Sequence, residues 1–357
     1  MEFLRYNHAM LTSQRRMNQR WLLTARPHGR AREADFTWEE IPADEPGDGQ
    51  VLVRAIYLSL DPTNRIWMNE ADSYLPAIGL GSVMRGGGIG MVEESLNPQF
   101  APGDLVQGLL GWQLYVVSDG RGLSKLPNLP VPLGAHLGVF GHIGLTAYFG
   151  LLDIGRPKPG ETLVVSAGAG AVGSLVGQIG KIKGLHVTGV AGSEDKCRWM
   201  RDDLRFDAVV NYRIENLGEA LRRHCPEGID IYFDNVGGRI LDAALGHLAM
   251  RGRIVLCGMI SQYNSDVSAP SNLTELIMQR ARMEGFLCTD YAPRGAEMYR
   301  DMVAWLASGQ LKFRLDVVDG LKSAPEALNR LFDGSNTGKL VVQVSDEPVD
   351  RTRGAVN

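Results

Sequence analysis

The chain has 357 residues, of which 44% are apolar and 22% charged, and its formal net charge is −4. This length exceeds one ordinary core, so two domains are expected. The excess of 41 acidic over 37 basic residues argues against nucleic-acid and anionic-membrane partners, since both require a basic surface. The net charge does not exclude a local basic patch.

The N-terminal segment MEFLRYNHAMLTSQRRMNQR lacks the apolar middle of a secretory signal. No apolar run approaches the roughly 20 residues of a membrane helix. We therefore expect a cytoplasmic protein with no membrane partner. A better-patterned segment begins at Met17, so residues 1–16 are predicted to be a loose extension.

From about Trp21 to Leu126, short β segments such as QVLVRAIYLSL alternate with Gly and Pro turns, which predicts a β-rich, barrel-like unit. After PNLPVPLGAHLG, strands such as TLVVSA alternate with helices such as AVGSLVGQIGKIKG, which predicts a parallel sheet covered on both faces. The tail continues as helix, strand, helix and a last strand that we expect to return to the first unit.

A glycine pattern follows the strand TLVVSA and opens the next helix. Gly168, Gly170 and Gly173 form GxGxxG, with Ala171 and Val172 completing the turn. A pyrophosphate must approach backbone amides at a helix N-terminus, and a Cβ at these positions would hold it away. The pattern in this context predicts a dinucleotide site; the alternative is a tight turn that binds nothing.

The end of the second strand of this unit indicates which dinucleotide. An acid that bonds the ribose is expected about 20 residues after the glycines, but Gly192 stands nineteen residues after Gly173. Small neutral residues leave room for a 2′-phosphate, and Lys196 can supply its counter-charge. NADPH is therefore predicted, whereas a ribose bond from Glu194 or Asp195 would favour NADH instead.

Several motifs together resemble one family: WLLTARP, YLSLDPTNR, GLTAYFGL, AGAGAVGSLVGQIGKIKG, GSEDK, FDNVGG, CGMISQYN and NTGKLVV. The chain is similar to the alkenal/one reductases, a zinc-independent branch of the medium-chain dehydrogenase/reductases. The resemblance implies an α/β fold with a GroES-like β-rich catalytic domain (17–139 and 310–357) and a doubly wound, parallel-sheet Rossmann domain (140–309). It also implies a possible homodimer.

The resemblance assigns cofactor contacts beyond the glycine turn. Those at the 2′-phosphate and adenosine would be Gly192, Ser193, Lys196 and Tyr212; those farther along would be Thr146, Asn235, Cys257, Gly258, Tyr263 and Asn336. A purely structural role is the alternative for three of these residues: Tyr212 as a strand cap, Asn235 as a turn residue and Cys257 as a buried packing residue. His142 stands where members commonly have a Met-Pro pair, and we expect it to be a surface or core histidine.

The chemistry implied is reduction of a carbon-carbon double bond conjugated to a carbonyl. No cysteine occurs among the first 196 residues, so the ligands of a catalytic zinc are missing and no metal is expected. Without a Lewis acid, hydrogen-bond donors must stabilise the enolate oxygen. The resemblance implies that these donors are a tyrosine hydroxyl and the ribose hydroxyl of the cofactor. Tyr263 and Tyr57 are the candidate tyrosines, with packing roles as alternatives, and the substrate class is an α,β-unsaturated ketone or aldehyde. A quinone oxidoreductase or a non-catalytic NADPH-binding protein are the other functions considered.

Overall fold

The structure is a computed structural model that describes residues 16–70, 73–265 and 269–348. The predicted loose extension therefore lies outside the described residues, apart from Arg16. The strands in chain order are β1 (Met17–Leu23), β2 (Phe36–Pro42), β3 (Val51–Ser59), β4 (Ser82–Val83), β5 (Gly87–Ser95), β6 (Leu105–Leu109), β7 (Tyr115–Ser118), β8 (Ser124–Lys125), β9 (Thr162–Ser166), β10 (His186–Ala191), β11 (Ala208–Asn211), β12 (Ile229–Asp234), β13 (Leu248–Leu256), β14 (Arg282–Gly285), β15 (Leu315–Asp319) and β16 (Lys339–Gln343). The helices are α1 (Thr63–Trp67), α2 (His142–Phe149), α3 (Ala171–Ile182), α4 (Glu194–Arg198), α5 (Leu217–His224), α6 (Gly238–Leu245), α7 (Thr274–Met278), α8 (Gly295–Ala307) and α9 (Ala324–Asp333).

The alternating half of the chain folds into a parallel sheet. Across the described ranges its strand order is β11-β10-β9-β12-β13-β14, which is the doubly wound order with its switch point between β9 and β12. Strands buried on both faces read as continuous apolar runs, and β9 and β12 have that character. The predicted Rossmann fold class is confirmed, and its ligand crevice lies at the carboxyl ends of β9 and β12.

The β-rich half contains two further sheets. One has the order β15-β16-β3-β5-β6-β8, with β7 also paired to β3, and the other has the order β2-β1-β4. The last strand, β16, pairs antiparallel with β3 and parallel with β15. The indole N–H of Trp21 also donates to the carbonyl of Leu321 over 2.9 Å. The tail thus returns to the first unit, as predicted.

The tail also reaches the glycine turn of the other half. Gly338 and Gly170 form an isolated bridge, and the amide of Gly338 donates to the carbonyl of Ala169 over 2.9 Å. Gly338 has φ +70°, and a Cβ there would stand 2.3 Å from the carbonyl oxygen of Arg314. Only glycine permits this approach.

Within the described residues, no helix is long and apolar enough to cross a membrane.

Helix α3 packs closely on the parallel sheet through glycine. A Cβ on Gly177 would lie 1.9 Å from the Phe206 ring, and one on Gly180 would lie 2.6 Å from Leu163. The helix axis can approach the sheet only because these side chains are absent. This packing determines how close the amino end of α3 lies to the ligand crevice.

We expect Gly177→Ala to destabilise the protein, although alanine is the better helix former. Overpacking against the Phe206 ring costs about 1–3 kcal/mol, which outweighs the ~1 kcal/mol helix-propensity gain. The measurement is the melting temperature by differential scanning calorimetry. Gly218→Ala in α5 is the control, since its Cβ would meet no atom nearer than 3.6 Å. A G177A protein that melts at or above the G218A temperature would contradict this account of the packing.

Candidate active site

A cavity of about 460 Å³ lies between the carboxyl edge of the parallel sheet and the segments that follow β3 and α9. Most of the predicted site residues line it: Thr146, Gly170, Ala171, Val172, Gly173, Gly192, Lys196, Tyr212, Asn235, Cys257, Gly258, Tyr263 and Asn336. Gly168, Ser193 and Tyr57 do not. The chain thus gathers residues separated by up to 190 positions around one crevice.

The glycine turn forms an open cradle. Gly170 is the N-cap of α3 and has no side chain that could accept from the first amides of the helix. These amides therefore face the cavity without a capping partner. A Cβ on Gly173 would lie 2.3 Å from the carbonyl oxygen of Ala167. Free amides at a helix N-terminus, without side chains in front of them, fit a pyrophosphate.

Gly168 and Ser193 support the cavity from behind. A Cβ on Gly168 would stand 2.6 Å from the Met200 sulfur, so this glycine permits the turn to pack on the sheet. Ser193 is the N-cap of α4, and its hydroxyl accepts from the amide of Lys196. In the structure its side chain is engaged in that cap, a role that the GSEDK segment by itself did not separate from phosphate binding.

Two cations meet at one end of the cavity. The Lys196 ammonium donates to the carbonyl of Gly334 over 2.8 Å, and the Arg213 guanidinium donates to that of Asp333 over 3.0 Å. Burial, and then the nearby Arg213, lower the pKa of Lys196 below its ordinary value. A bound phosphate would relieve this repulsion.

Gly192 has a reason beyond the one inferred from sequence. A Cβ there would lie 2.8 Å from the Tyr212 hydroxyl. The glycine therefore makes room for the tyrosine. Tyr212 lines the cavity directly beside Lys196 and Arg213.

A buried carboxylate organises the middle of the cavity. The Asp234 side chain accepts hydrogen bonds from the Tyr232 hydroxyl, the Ser166 hydroxyl and the amides of Val236 and Gly237. Asn235 is fixed in turn, since its side-chain amide donates to the carbonyl of Ser166 over 2.8 Å. Burial raises the pKa of Asp234 even though these donors oppose the shift.

The same strand end positions the next loop. The backbone amides of Cys257 and Gly258 both donate to the carbonyl of Asp234, over 2.9 and 3.0 Å. Burial raises the pKa of the Cys257 thiol far above its ordinary value. The thiol therefore stays protonated, and Cys257 fits a packing and backbone role.

Tyr263 presents its hydroxyl at the other end. The oxygen accepts from the amide of Met259 over 3.0 Å, and burial raises the pKa of the phenol. Among the described residues its proton has no acceptor, so it is free to donate to a ligand. Tyr74 also lines this end, with its hydroxyl bonded to Thr63.

Tyr57 lies elsewhere. Its ring packs in the cluster of Ile56, Ile89 and Val341, and its hydroxyl donates to the Glu347 carboxylate over 2.8 Å. Burial and that carboxylate raise the pKa of the phenol. The structure does not bring Tyr57 to the cavity: Tyr57 lies within β3, whereas the residues of this segment that line the cavity, from Leu60 onward, follow the end of that strand.

A buried ion pair stands in the cavity wall. The Lys339 ammonium lies 2.8 Å from Asp61 Oδ1, and His142 Nε2 lies 3.0 Å from the same oxygen. Burial alone would raise the pKa of Asp61, but Lys339 and His142 hold it well below its usual range. His142 was expected to be a surface or core histidine; its side chain is partly exposed, lines the cavity and faces Asp61.

Among the cavity residues that sequence reasoning missed are Asp61, Tyr74, Arg213 and Lys339. Asp61 and Lys339 are the charged residues of the motifs DPTN and NTGK, and their charge was the feature that could have indicated a role in the site. Arg213 directly follows β11, the neighbour of β10 in the sheet, which is where a second phosphate-facing side chain can arise. Tyr74 lies in an irregular segment with no periodic signal.

The chain matches two family models, described as "N-terminal domain of oxidoreductase" over residues 19–126 and "Zinc-binding dehydrogenase" over residues 171–308. In the part of the chain that the structure describes, no three His, Cys, Asp or Glu residues are grouped so as to hold a metal ion.

Three relatives show how far the similarity extends. The NADPH-dependent curcumin reductase of Escherichia coli is 43% identical over 94% of this chain and 99% of its own. The 2-alkenal reductase (NADP⁺-dependent) of Nicotiana tabacum is 44% identical over 84% of this chain and 89% of its own. The crystal structure of CurA from Vibrio vulnificus in complex with NADPH superimposes with a TM-score of 0.88, at 42% identity, over 92% of this chain and all of that one.

We expect Asp61→Asn and Lys339→Met each to destabilise the protein strongly. Each leaves the other charge buried without its partner, which costs about 3–5 kcal/mol. The double variant D61N/K339M should lose clearly less than the sum of the two single losses. Thermal unfolding of the four proteins measures the coupling, and additive losses would show that the pair does not interact.

Proposed function

The chain belongs to the zinc-independent alkenal reductase branch of the medium-chain dehydrogenase/reductases, and from that premise we propose that it reduces carbon-carbon double bonds conjugated to a carbonyl, using NADPH. One observation carries the proposal: a single cavity joins a cationic end, a helix N-terminus without a side-chain cap and a tyrosine hydroxyl with a free proton. We place the cofactor domain at 140–309 and the catalytic domain at 17–139 with 310–357. Dimerisation and a cytoplasmic location stay predictions.

The cavity walls support a defined cofactor orientation. Lys196 and Arg213 would hold the 2′-phosphate. Both side chains donate to backbone carbonyl oxygens in the structure, and a phosphate would accept stronger hydrogen bonds from the same donors. The first amides of α3 would hold the pyrophosphate, next to Asn336 from the tail. Asn235, Cys257 and Gly258 would then lie along the remaining part toward Tyr263.

The proposed chemistry needs a hydrogen-bond donor on the carbonyl side. When bound, NADPH supplies a hydride to the β-carbon of the substrate. The Tyr263 hydroxyl would donate a hydrogen bond to the carbonyl oxygen as negative charge develops there, and the α-carbon of the resulting enolate would then take a proton from solvent. The raised pKa of Tyr263 keeps the phenol protonated through neutral pH, so donation requires no prior titration. Tyr57 has no place in this step.

The substrate end of the cavity is both apolar and protic. Ile66, Ile143 and Phe286 provide apolar surface, and Tyr74 and His142 provide polar groups. A ligand with an apolar body and one carbonyl fits such a lining. The tobacco relative is named for 2-alkenals, which are aldehydes conjugated to a double bond, and this supports the proposed substrate class.

The test of the proposed function is the initial rate of NADPH oxidation with a short enone such as 3-nonen-2-one, in the presence of EDTA. We expect NADPH to support faster turnover than NADH. The double variant K196A/R213A should lose about a hundredfold to ten-thousandfold in kcat/KM for NADPH and little for NADH, since each of the two charge-assisted bonds contributes about 1.5–3 kcal/mol.

The control for this variant is Arg201→Ala, an exposed cation that does not line the cavity. Equal losses with both cofactors would contradict the phosphate assignment. Turnover of a quinone in the absence of any enone turnover would favour the quinone oxidoreductase, and binding of NADPH with no turnover of either would favour a binding protein.

We expect Tyr263→Phe to lower kcat by about a hundredfold or more, as removal of an oxyanion-stabilising donor does. KM for NADPH should change little, because the ring remains. The matched control is Tyr57→Phe, which loses its hydrogen bond to Glu347 outside the cavity and should keep its kcat while losing about 1 kcal/mol of stability. Equal activities of Y263F and the parent protein would remove Tyr263 from the mechanism.

A further inference from the structure

A second cavity, of about 510 Å³, lies at the amino edge of the parallel sheet, opposite the glycine turn. Its lining consists of six cations: Arg156, Lys158, Arg251, Arg253, Arg280 and Arg282. Two of them precede β9, two lie in the first part of β13, and two lie at or just before the start of β14. We call this cavity the arginine pocket.

Few carboxylates oppose these charges. Glu161 pairs with Arg253, and Glu284 approaches Arg282 only to 3.9 Å. Within the described residues, the other four cations have no carboxylate within ion-pair distance, and the buried Nε of Arg282 has no hydrogen-bond partner. The pocket therefore concentrates positive charge in a chain whose net charge is −4.

Two of the arginines are already held rigidly. Arg253 donates from Nε to the carbonyl of Gly155 over 2.9 Å and from Nη1 to Glu161 over 3.0 Å. Arg282 donates to the carbonyl of Ile154. These bonds form a fixed floor, above which Arg156, Arg251 and Arg280 are largely exposed. A fixed floor with exposed cations around it is suited to enclosing an anion.

The backbone gives an independent indication. Arg156, Arg251 and Arg280 have φ of +48°, +63° and +49°. Among the described residues, five that are not glycine have φ in this left-handed region, and these three all line the pocket. Arg156 and Arg280 follow helical segments at positions that usually hold glycine. Arginine therefore occupies these positions despite the backbone strain that a left-handed conformation causes.

We propose that the arginine pocket binds a small molecule carrying two or more phosphate or carboxylate groups. Arginine forks bind both groups in bidentate geometry, and several uncompensated cations favour a multivalent anion over a single charge. The site is separate from the cavity proposed for the cofactor, since it lies at the other edge of the same sheet. The proposal goes beyond the reductase function and does not depend on it.

The experiment is isothermal titration calorimetry of the full chain with inorganic tripolyphosphate at low ionic strength. One equivalent of NADP⁺ is present, so that the phosphate-binding groups of the other cavity are occupied without an excess of NADP⁺ that would compete for the arginine pocket. We expect binding that weakens as salt is added. The double variant R251G/R280G should weaken it by about tenfold or more, as expected for the loss of two charge-assisted contacts.

The glycine variants also keep the fold intact, because glycine relieves the left-handed backbone. R251G/R280G should therefore melt at or above the parent temperature while its enone reduction is unchanged. Arg205→Gly is the matched control: its φ is +59° but it lies outside the pocket, so it should gain stability and keep tripolyphosphate binding. R251Q/R280Q removes the charges alone and should lose binding equally.

Three results would overturn the proposal. The first is no tripolyphosphate binding by the parent protein at low salt. The second is equal binding by the parent and R251G/R280G. The third is a change of oligomeric state in R251G/R280G, seen by sedimentation, without any tripolyphosphate uptake by the parent; this would identify the pocket as a contact for acidic groups of a second copy. None of these results bears on enone reduction, so the two proposals fail separately.

Discussion

The buried ion pair of Asp61 and Lys339 is the contact on which the geometry of the cleft depends. It joins the end of β3 to the start of β16, which are separated by 278 positions, and it reaches His142 on α2. Lys339 also donates to the carbonyl of Leu60, so both charges have further partners. A buried pair is costly to form, but once formed it is more costly to break on one side. It therefore aligns three segments that must meet for the cavity to exist.

Close backbone approach is the second constraint. Gly170 and Gly338 bring the tail against the phosphate-binding turn, and Gly173 and Gly177 bring α3 against the sheet. Each contact occurs where a methyl group would collide with a carbonyl or a ring. Specific glycines thus act by permitting contacts between distant elements, which is a larger effect than local flexibility.

Charge is distributed in a way that the net value conceals. The chain is slightly acidic overall, yet cations gather at Lys196 and Arg213 on one edge of the parallel sheet and at the arginine pocket on the other. In both places carbonyl oxygens, rather than carboxylates, are the main partners of the cations. Carbonyls satisfy hydrogen bonds without neutralising charge, so both edges keep a field that attracts anions.

The sequence by itself determined the fold class, the Rossmann turn, the returning tail and thirteen of the residues that line the cavity, because those features are local patterns of period, glycine spacing and motif. The tertiary structure alone decided which members of a motif face the cavity. Ser193 and Gly168 support the wall, and Tyr57 packs in an apolar cluster away from the cavity. Arg213, the pairing of Asp61 with His142, and the arginine pocket depend on contacts between distant positions. No pattern within a window of sequence contains such contacts, since they arise from how the sheet orders its strands.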